Sequence, residues 1–241
     1  LTTAKKIVSE HGHADAVIAA NVMCHIPDLH DVAQGIDHLL NPMGVLVFEE
    51  PYLGDMIKNT AYDQIYDEHV YIFSVHSVIN IFSKHGFELI NIKPQSTHGG
   101  SMRYILARKG KRAVSPSIEK QLNYEDKNNL HIRSTYDLFR EKCELSRKDL
   151  VSILQQQKND GRRVVGYAAT SKSTTVLNYC GIGPDLINFI SDTTPIKQGK
   201  YSPGVHIPVL PYEELQNGYP DTLLLFAWNH KTEIMEKESS F

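Results

Sequence analysis

The sequence predicts an α/β fold made of two domains, and three observations support this. Short, continuously apolar segments at residues 15–20, 45–50 and 164–169 are typical of buried parallel strands. Segments with apolar residues at helical spacing alternate with them. Between the two alternating regions, residues 115–159 are polar and have the pattern of one short and one long helix. The expected boundaries are 1–108 for the first domain, 109–160 for a helical connection and 161–241 for a smaller second domain.

The composition is that of an ordinary globular protein. The 241 residues are 41% hydrophobic and 22% charged, with a formal net charge of −3, so nothing favours nucleic acid or a membrane surface as a partner. No apolar segment approaches the roughly 20 residues that cross a bilayer, and no signal-peptide pattern is present. Cys24, Cys143 and Cys180 form no CxxC pair, which favours a reducing, cytoplasmic setting without a disulfide framework or a structural zinc in this chain.

The first domain begins with a βαβ unit. Residues 15–20 are the first strand, and the helix that follows places Asp28 as its N-cap. The segment Asn41–Gly44 ends this helix, and residues 45–50 form the second strand. Such a unit implies a parallel pair joined by a right-handed crossover.

A helix and a hairpin complete the first domain. Apolar residues between Val75 and Phe82 line one helix face, with Ser74 as the expected cap and Gly86 as the stop. Residues 87–92 and 101–108 then form paired strands around the turn-like THGG sequence.

The second domain repeats the alternation on a smaller scale. Residues 164–169 are a strand, 171–180 a helix and 186–192 a second strand. A short helix within residues 211–218 and a final strand at 221–228 complete it.

The first candidate site lies in the polar loop after the first strand. In open α/β sheets, ligands bind at the carboxyl ends of the strands, where this loop is placed. His25 in this loop is a candidate acid, base or hydrogen-bond donor. A surface or helix-capping histidine is an equal alternative.

The second candidate site is the cluster Tyr66, Asp67, Glu68 and His69. Its spacing does not match HExxH or any Cys/His metal pattern, so metal ligation is disfavoured. A histidine beside a carboxylate and a phenol favours acid/base chemistry. In a helix, Tyr66 and His69 share a face, whereas a bend is needed to bring in Glu68. A partly exposed amphipathic segment remains the alternative.

Three further segments have residues suited to a ligand. The THGGS turn permits positive φ or a close ligand approach, although a plain hairpin turn is the favoured interpretation of His98 alone. The degenerate GxAxxS sequence at Gly166–Ser171 leads into a helix whose first N–H groups, with Lys172, suit a phosphate, and Asp192 ends the next strand. A helix cap without a ligand is equally consistent. The loop with Lys197 and Lys200 is either a ligand-binding or a rigid structural loop.

These motifs, in this order, resemble a known family. DAVIAANVMCHIPDLHDVAQGIDHLLNPMGVLVFEEP is similar to the middle of a class I S-adenosylmethionine-dependent methyltransferase domain. YDQIYDEHVYIFS, THGGSMR, GYAATSKSTTVLNYCGIGPD and KQGKYSPGVHIP resemble the sugar C-methyltransferases, which methylate carbon 3 of a nucleotide-linked 4-keto-deoxysugar. The resemblance covers nearly the whole chain. It implies a partial class I methyltransferase Rossmann-like sheet followed by a smaller Rossmann-like domain.

The resemblance also implies roles for individual residues. Tyr66, Glu68 and His69 match the catalytic Tyr-x-Glu-His motif, with His69 or Tyr66 as the base, and His25 matches an active-site histidine. S-adenosylmethionine is the implied cofactor, contacted by Asn21 and Ala20, and a nucleotide-diphosphate sugar is the implied substrate. The implied substrate-binding residues are His98, Ser101, Ser171, Lys172, Lys197 and Lys200.

The chain departs from the family pattern at its start. The family begins with a cysteine-bearing zinc domain and a glycine-rich cofactor loop, and neither is in these 241 residues. We therefore expect a fragment of a longer enzyme, with zinc only in the missing domain and a sheet whose central strand is exposed as an edge. Two other interpretations stay open: a methyltransferase acting on oxygen or nitrogen of another small molecule, and a non-catalytic nucleotide-binding module.

Overall fold

A computed structural model describes residues 1–239 and 241, and the chain divides into two compact units. The first unit comprises Leu1–Ala61 and Asp67–Tyr136, and the second comprises Tyr62–Tyr66 and Asp137–Phe241. Each unit contains a sheet flanked by helices, which confirms the predicted α/β class. Among the described residues, no helix has the length and apolar character needed to cross a membrane.

The sheet of the first unit has four strands in the order β1-β2-β4-β3. β1 and β2 are parallel, whereas β4 is antiparallel to both β2 and β3, so the predicted βαβ unit and the late hairpin are both confirmed. β1 lies at the sheet edge, and Ile18 in it is 77% exposed. The elements are α1 (Thr2–His11), β1 (Ala14–Ala20), α2 (Leu29–Leu39), β2 (Leu40–Pro51), α3 (Leu53–Asn59), α4 (Val75–Phe82), β3 (Phe87–Gln95), β4 (Ser101–Arg108) and α5 (Pro116–Lys127).

The predicted caps of the first unit are confirmed. The Asp28 side chain accepts hydrogen bonds from two N–H groups at the start of α2, and Ser74 forms a capping box with Ser77 at the start of α4. Gly86 adopts the left-handed conformation, with φ of 75°, after a short 3₁₀ turn that follows α4.

The predicted start of the second strand at residue 45 is wrong. Although α2 ends at Leu39, as the stop signal indicates, β2 begins at once because Leu40 pairs with Ala14 across an irregularity in the ladder. The Asn41 side chain donates to Asp15 at 2.5 Å and accepts from the Met43 N–H at 2.8 Å. The bond to Asp15 ties this segment, whose composition predicts a turn, to β1.

The core of the first unit is built around Phe48 on β2. Its ring lies 4.9 Å from that of Tyr104, 5.6 Å from Phe82 and 5.8 Å from Phe73, measured between centroids, and all four residues are buried. This packing fixes β2 and β4 against α4, and it therefore fixes the strand ends at which the candidate site lies.

The second unit has a parallel four-stranded sheet in the order β7-β6-β5-β8. Three predicted strands are shorter than expected, and the one predicted at 164–169 ends at Tyr167. The strand predicted at 186–192 is reduced to Ile190–Ser191, because Leu186 and Ile187 bond to Gly183 in a turn while their side chains pack in the core. The final strand ends at Leu225. The elements are α6 (Arg133–Asn159), most of which belongs to this unit, β5 (Val164–Tyr167), α7 (Ser171–Cys180), β6 (Ile190–Ser191), β7 (Val209–Leu210), α8 (Glu213–Gln216), β8 (Thr222–Leu225) and α9 (Lys231–Lys237).

Candidate functional site

The loop that carries His25 is built by the buried carboxylate of Glu50. Glu50 is the penultimate residue of β2, and its Oε1 accepts hydrogen bonds from the backbone N–H groups of Val22 at 2.9 Å and Met23 at 2.6 Å. Asn21 takes a left-handed conformation with φ of 53°, and a 3₁₀ turn from Met23 to His25 follows. Thus the carboxyl end of β2 holds the loop after β1, and His25 is left half-buried.

The Tyr66–His69 cluster forms a bend and a turn instead of a helix. The helical alternative for this segment is therefore wrong. The backbone N–H of Val70 donates to the Cys24 carbonyl oxygen at 2.9 Å, and the Tyr71 hydroxyl donates to the Pro27 carbonyl oxygen at 2.6 Å. These bonds tie the residues after the cluster to the His25 loop.

His25 and His69 meet as a result. Their ring centroids are 5.2 Å apart, with the ring planes at 89°. Both side chains are half-buried. Sequence reasoning singled out both residues, and the fold brings them together within the first unit.

Cys24 joins the two histidines, and sequence reasoning missed it. Its sulfur and one nitrogen from each imidazole all lie within 4.8 Å of one another. Burial raises the pKa of the Cys24 thiol, and the carboxylates of Glu50 and Glu68 raise this pKa further. In the absence of a ligand the thiol is therefore protonated at neutral pH. No spacing rule links Cys24 to His69, because their contact depends on the tertiary fold.

Tyr66 and Glu68 belong to different units. Tyr66 is half-buried and ends the segment Tyr62–Tyr66, which clusters with the second unit, whereas Glu68 is exposed and belongs to the first. Within the second unit, Asp63 accepts a hydrogen bond from the indole N–H of Trp228 at 2.7 Å. Asp63 therefore fixes the segment that carries Tyr66, and sequence reasoning did not single it out.

His98 lies in the turn between β3 and β4, and Ser101 is the first residue of β4. Ser101 is fully buried and its hydroxyl donates to the Thr97 carbonyl oxygen at 3.1 Å, so this hydroxyl is used inside the turn. His98 is half-buried with φ of 55°. The Thr97 hydroxyl donates to Glu49 at 3.0 Å, and the other oxygen of Glu49 accepts two hydrogen bonds from Arg103. This network anchors the turn to the carboxyl end of β2.

A cavity of about 440 Å³ lies at the start of α7 in the second unit. Ser171, Lys197 and Lys200, all singled out from the sequence, line it together with Tyr201. The Thr170–Ser173 capping box forms the first turn of α7. A helix start beside two ammonium groups is suited to an anion.

Asp192 lies beside this cavity, but its carboxylate is bonded to groups of the protein itself. Its carboxylate accepts from the Ala169 N–H at 2.8 Å and lies 3.3 Å from the Lys197 ammonium, which also donates to the Ala169 carbonyl oxygen at 2.7 Å. Burial alone raises the pKa of Asp192, but hydrogen bonds from Thr194 and Ala169 and the charge of Lys197 outweigh it and leave the pKa below its ordinary value. Asp192 thus organises the loop between β5 and α7.

Lys172 is placed differently from the other lysines. It is buried and does not line the cavity. Its ammonium lies 3.9 Å from Asp63 and 5.5 Å from the ring centroid of Trp228. Burial lowers its pKa, and Asp63 partly offsets this effect. The expectation that Lys172 contacts a phosphate finds no support in this position.

Two protein-family models match the chain. The model described as C-methyltransferase C-terminal domain matches residues 96–241, and one described as methyltransferase domain matches residues 2–92. The C-methyltransferase NovU of Streptomyces niveus is 35% identical over 238 residues, which cover 98% of this chain and 57% of NovU. The chain therefore spans less than two thirds of the length of this relative.

Solved structures with partial similarity are also methyltransferases. An S-adenosylmethionine-dependent methyltransferase from Anabaena variabilis is 18% identical, with a TM-score of 0.34 over 45% of this chain and 54% of that one. The magnesium protoporphyrin IX methyltransferase of Synechocystis, solved with bound SAH, is 19% identical, with a TM-score of 0.30 over 40% of this chain and 46% of that one. Similarity at this level carries no argument about function.

Proposed function

From the premise that this chain belongs to the C-methyltransferase family, we propose that it is part of an S-adenosylmethionine-dependent enzyme that methylates a sugar carbon. The substrate is a nucleotide-linked 4-keto-deoxysugar, and the methyl group is added at carbon 3, next to the ketone. The observation that carries the proposal is the pairing of His25 with His69 at the carboxyl end of β1 and β2.

The residue types suit the chemistry. A proton on a carbon next to a ketone is acidic enough for a side-chain base to remove, provided that the enolate oxygen is stabilised. His69 or Tyr66 accepts this proton, and Glu68 orients the base or the sugar. His25 donates a hydrogen bond to the substrate oxygen as negative charge develops there. The base is therefore assigned to either Tyr66 or His69.

The carboxyl end of β1 fits the proposed cofactor. S-adenosylmethionine supplies, when bound, the electrophilic methyl group that the enolate carbon takes up. Ala20 and Asn21 are exposed at this strand end, and the left-handed conformation of Asn21 turns the chain away from the sheet. These two residues would hold the part of the cofactor nearest the methyl group. The chain's contribution is therefore mainly to position the reacting carbon and methyl group.

The cavity of the second unit is proposed to bind the diphosphate of the substrate. The positive end of the α7 helix dipole and the Ser171 hydroxyl suit phosphate oxygens. Lys197 is already shared between Asp192 and a backbone carbonyl, whereas the Lys200 side chain is exposed. Lys200 is therefore expected to contribute more of the phosphate affinity than Lys197.

Replacement of the proposed base pair tests this function. In the full-length protein, we expect Tyr66→Phe combined with His69→Asn to lower kcat for methyl transfer by about 10²- to 10⁴-fold, the usual contribution of general acid–base catalysis. Tyr124→Phe and His11→Gln are matched controls, because both residues are exposed and lie on other elements, and activity should persist in both. Transfer to oxygen or nitrogen needs no enolising base, so near-normal activity in the double variant would refute the proposal.

A further inference from the structure

A thiol and two imidazoles converge beside the end of β1. Cys24, His25 and His69 each offer one metal-ligand atom, and these three atoms lie within 4.8 Å of one another. Neutral imidazole nitrogens and a thiolate sulfur are the donor set of zinc and similar thiophilic cations. The Tyr-x-Glu-His spacing alone disfavours a metal, whereas the fold adds two ligands from a distant loop.

We propose that Cys24, His25 and His69 form a binding site for a thiophilic divalent cation such as Zn²⁺, and that occupation of this site inhibits the enzyme. The binding claim stands on geometry alone. The inhibition claim rests on the proposed function, because it requires His25 and His69 to take part in proton transfer and hydrogen bonding.

The backbone already holds the three ligands in place. Cys24 is fully buried, and its carbonyl oxygen accepts hydrogen bonds from the N–H groups of Val70 and Tyr71 at 2.9 and 3.3 Å. The residues just before Cys24 are held by Glu50. A cation therefore finds an ordered sulfur and has to recruit only the two imidazoles.

The distances require a small rearrangement. Zinc lies about 2.0–2.1 Å from nitrogen and about 2.3 Å from sulfur, so the ligand atoms of a tetrahedral site with one sulfur lie roughly 3.3–3.6 Å apart. Ligand atoms up to 4.8 Å apart must therefore approach by about 1 Å. His25 and His69 are half-buried, so side-chain rotation supplies this movement without displacing the core.

Local charge favours a cation. The carboxylates of Glu50 and Glu68 both place negative charge near Cys24. Glu50 Oε2 is buried and, among the described residues, accepts no N–H or O–H hydrogen bond. On binding, the sulfur–hydrogen bond of Cys24 breaks, its proton passes to solvent, and a sulfur–metal bond forms. Each neutral imidazole contributes a lone pair, and water takes the fourth position.

Metal binding would block the proposed chemistry directly. The lone pair with which His69 accepts a proton is then held by the cation. His25 is likewise fixed on the metal and is no longer aimed at a substrate oxygen. The inhibition is therefore expected to follow occupancy of the site.

Co²⁺ absorption spectroscopy tests binding independently of activity. The full-length protein is titrated with Co²⁺, and we expect a thiolate-to-cobalt charge-transfer component that Cys24→Ala and Cys24→Ser both lack, on top of the constant contribution of the cysteines expected in the N-terminal domain. Cys143→Ala and Cys180→Ala are matched controls, because these cysteines are also buried and free, and they should keep this component. The proposal is supported if both Cys24 variants bind one Co²⁺ fewer than the unchanged protein and at least one of them keeps its thermal unfolding temperature.

Inhibition by Zn²⁺ is measured on the same variants. Loss of one ligand should raise the half-inhibitory Zn²⁺ concentration in Cys24→Ala by at least the roughly 10- to 100-fold that loss of an outer-shell partner costs, with inhibition expressed relative to the metal-free rate of the same variant. A charge-transfer intensity and a Co²⁺ stoichiometry that are both unchanged without Cys24 would overturn the site. A band that depends on Cys24, in a protein without C-methylation, would uphold the site and reject the proposed function instead.

Discussion

Replacement of Asp63 should destabilise the second unit, although no feature of the sequence marks this residue. Asp63 is 5% exposed, accepts the indole N–H of Trp228 at 2.7 Å and lies 3.9 Å from the ammonium of Lys172. Asp63→Ala leaves a buried indole N–H and a buried ammonium without this acceptor. Breaking a buried pair costs about 3–5 kcal/mol. We expect a loss near the lower end, about 3 kcal/mol, because the Lys172 side chain is 11% exposed and keeps some access to water.

Asp63→Asn separates the hydrogen bond from the charge. The amide oxygen still accepts from Trp228 while the negative charge is removed, so we expect about half the loss, roughly 1–2 kcal/mol. Asp185→Ala is the matched control in the same unit, because Asp185 forms an exposed pair with Lys158 at 3.4 Å. An exposed pair of this kind is worth about 1 kcal/mol or less.

Denaturant unfolding followed by fluorescence measures these losses. Trp228 is the single tryptophan of the 241 residues, so its emission reports the environment of Asp63 directly. A loss below about 1 kcal/mol for Asp63→Ala, equal to that of Asp185→Ala, would refute the argument. In the full-length enzyme, Asp63→Ala should also lower kcat, because Asp63 fixes the segment that ends at Tyr66.

Three further predictions concern stability. Gly100→Ala should destabilise the first unit by about 2 kcal/mol or more in thermal unfolding. Gly100 has φ of +131°, and an added Cβ would lie 2.4 Å from the Cβ of Asp55. An unchanged thermal stability would contradict this steric argument. Glu50→Ala should cost about 2–4 kcal/mol in denaturant unfolding, since two N–H groups lose their acceptor, while Glu50→Gln keeps an oxygen and should cost less. Asp192 has a lowered pKa in the folded state, so its contribution is present above its unfolded pKa of about 3.8 and is lost as pH falls through the folded value. The difference in unfolding free energy between Asp192→Asn and the unchanged protein should therefore shrink towards low pH, and a constant difference would contradict this assignment.

The elements that were predicted correctly are those whose signals are local. The helix that begins after Asp28 has its cap and apolar spacing within a few residues, and the strands around THGG are bounded by turn residues. The early start of β2 could not be predicted in this way, because Leu40 is extended only through its pairing with Ala14. The strand Ile190–Ser191 is shorter than predicted, because the apolar residues before it, such as Ile187, pack in the core without forming strand hydrogen bonds.

The residues of the candidate site show the same difference between local and long-range signals. His25 was predicted from its place after a parallel strand, and His69 from the residues beside it. Cys24, Glu50 and Asp63 were missed, because their roles come from contacts with residues far along the chain. Asp63 and Trp228 are 165 positions apart. Buried polar residues of this kind carry no recognisable spacing, and only the fold identifies their partners.

Proton exchange tests the central claim most directly, since the claim is that the segment Tyr66–His69 removes a proton from a carbon next to a ketone. The full-length protein is incubated in D₂O with S-adenosylhomocysteine and a nucleoside-diphosphate 4-keto-deoxysugar, and the proton at carbon 3 is followed by NMR. We predict enzyme-dependent loss of that signal, abolished when Tyr66→Phe and His69→Asn are combined. Retention of the signal with the unchanged enzyme, or equal exchange with the double variant, would contradict the account.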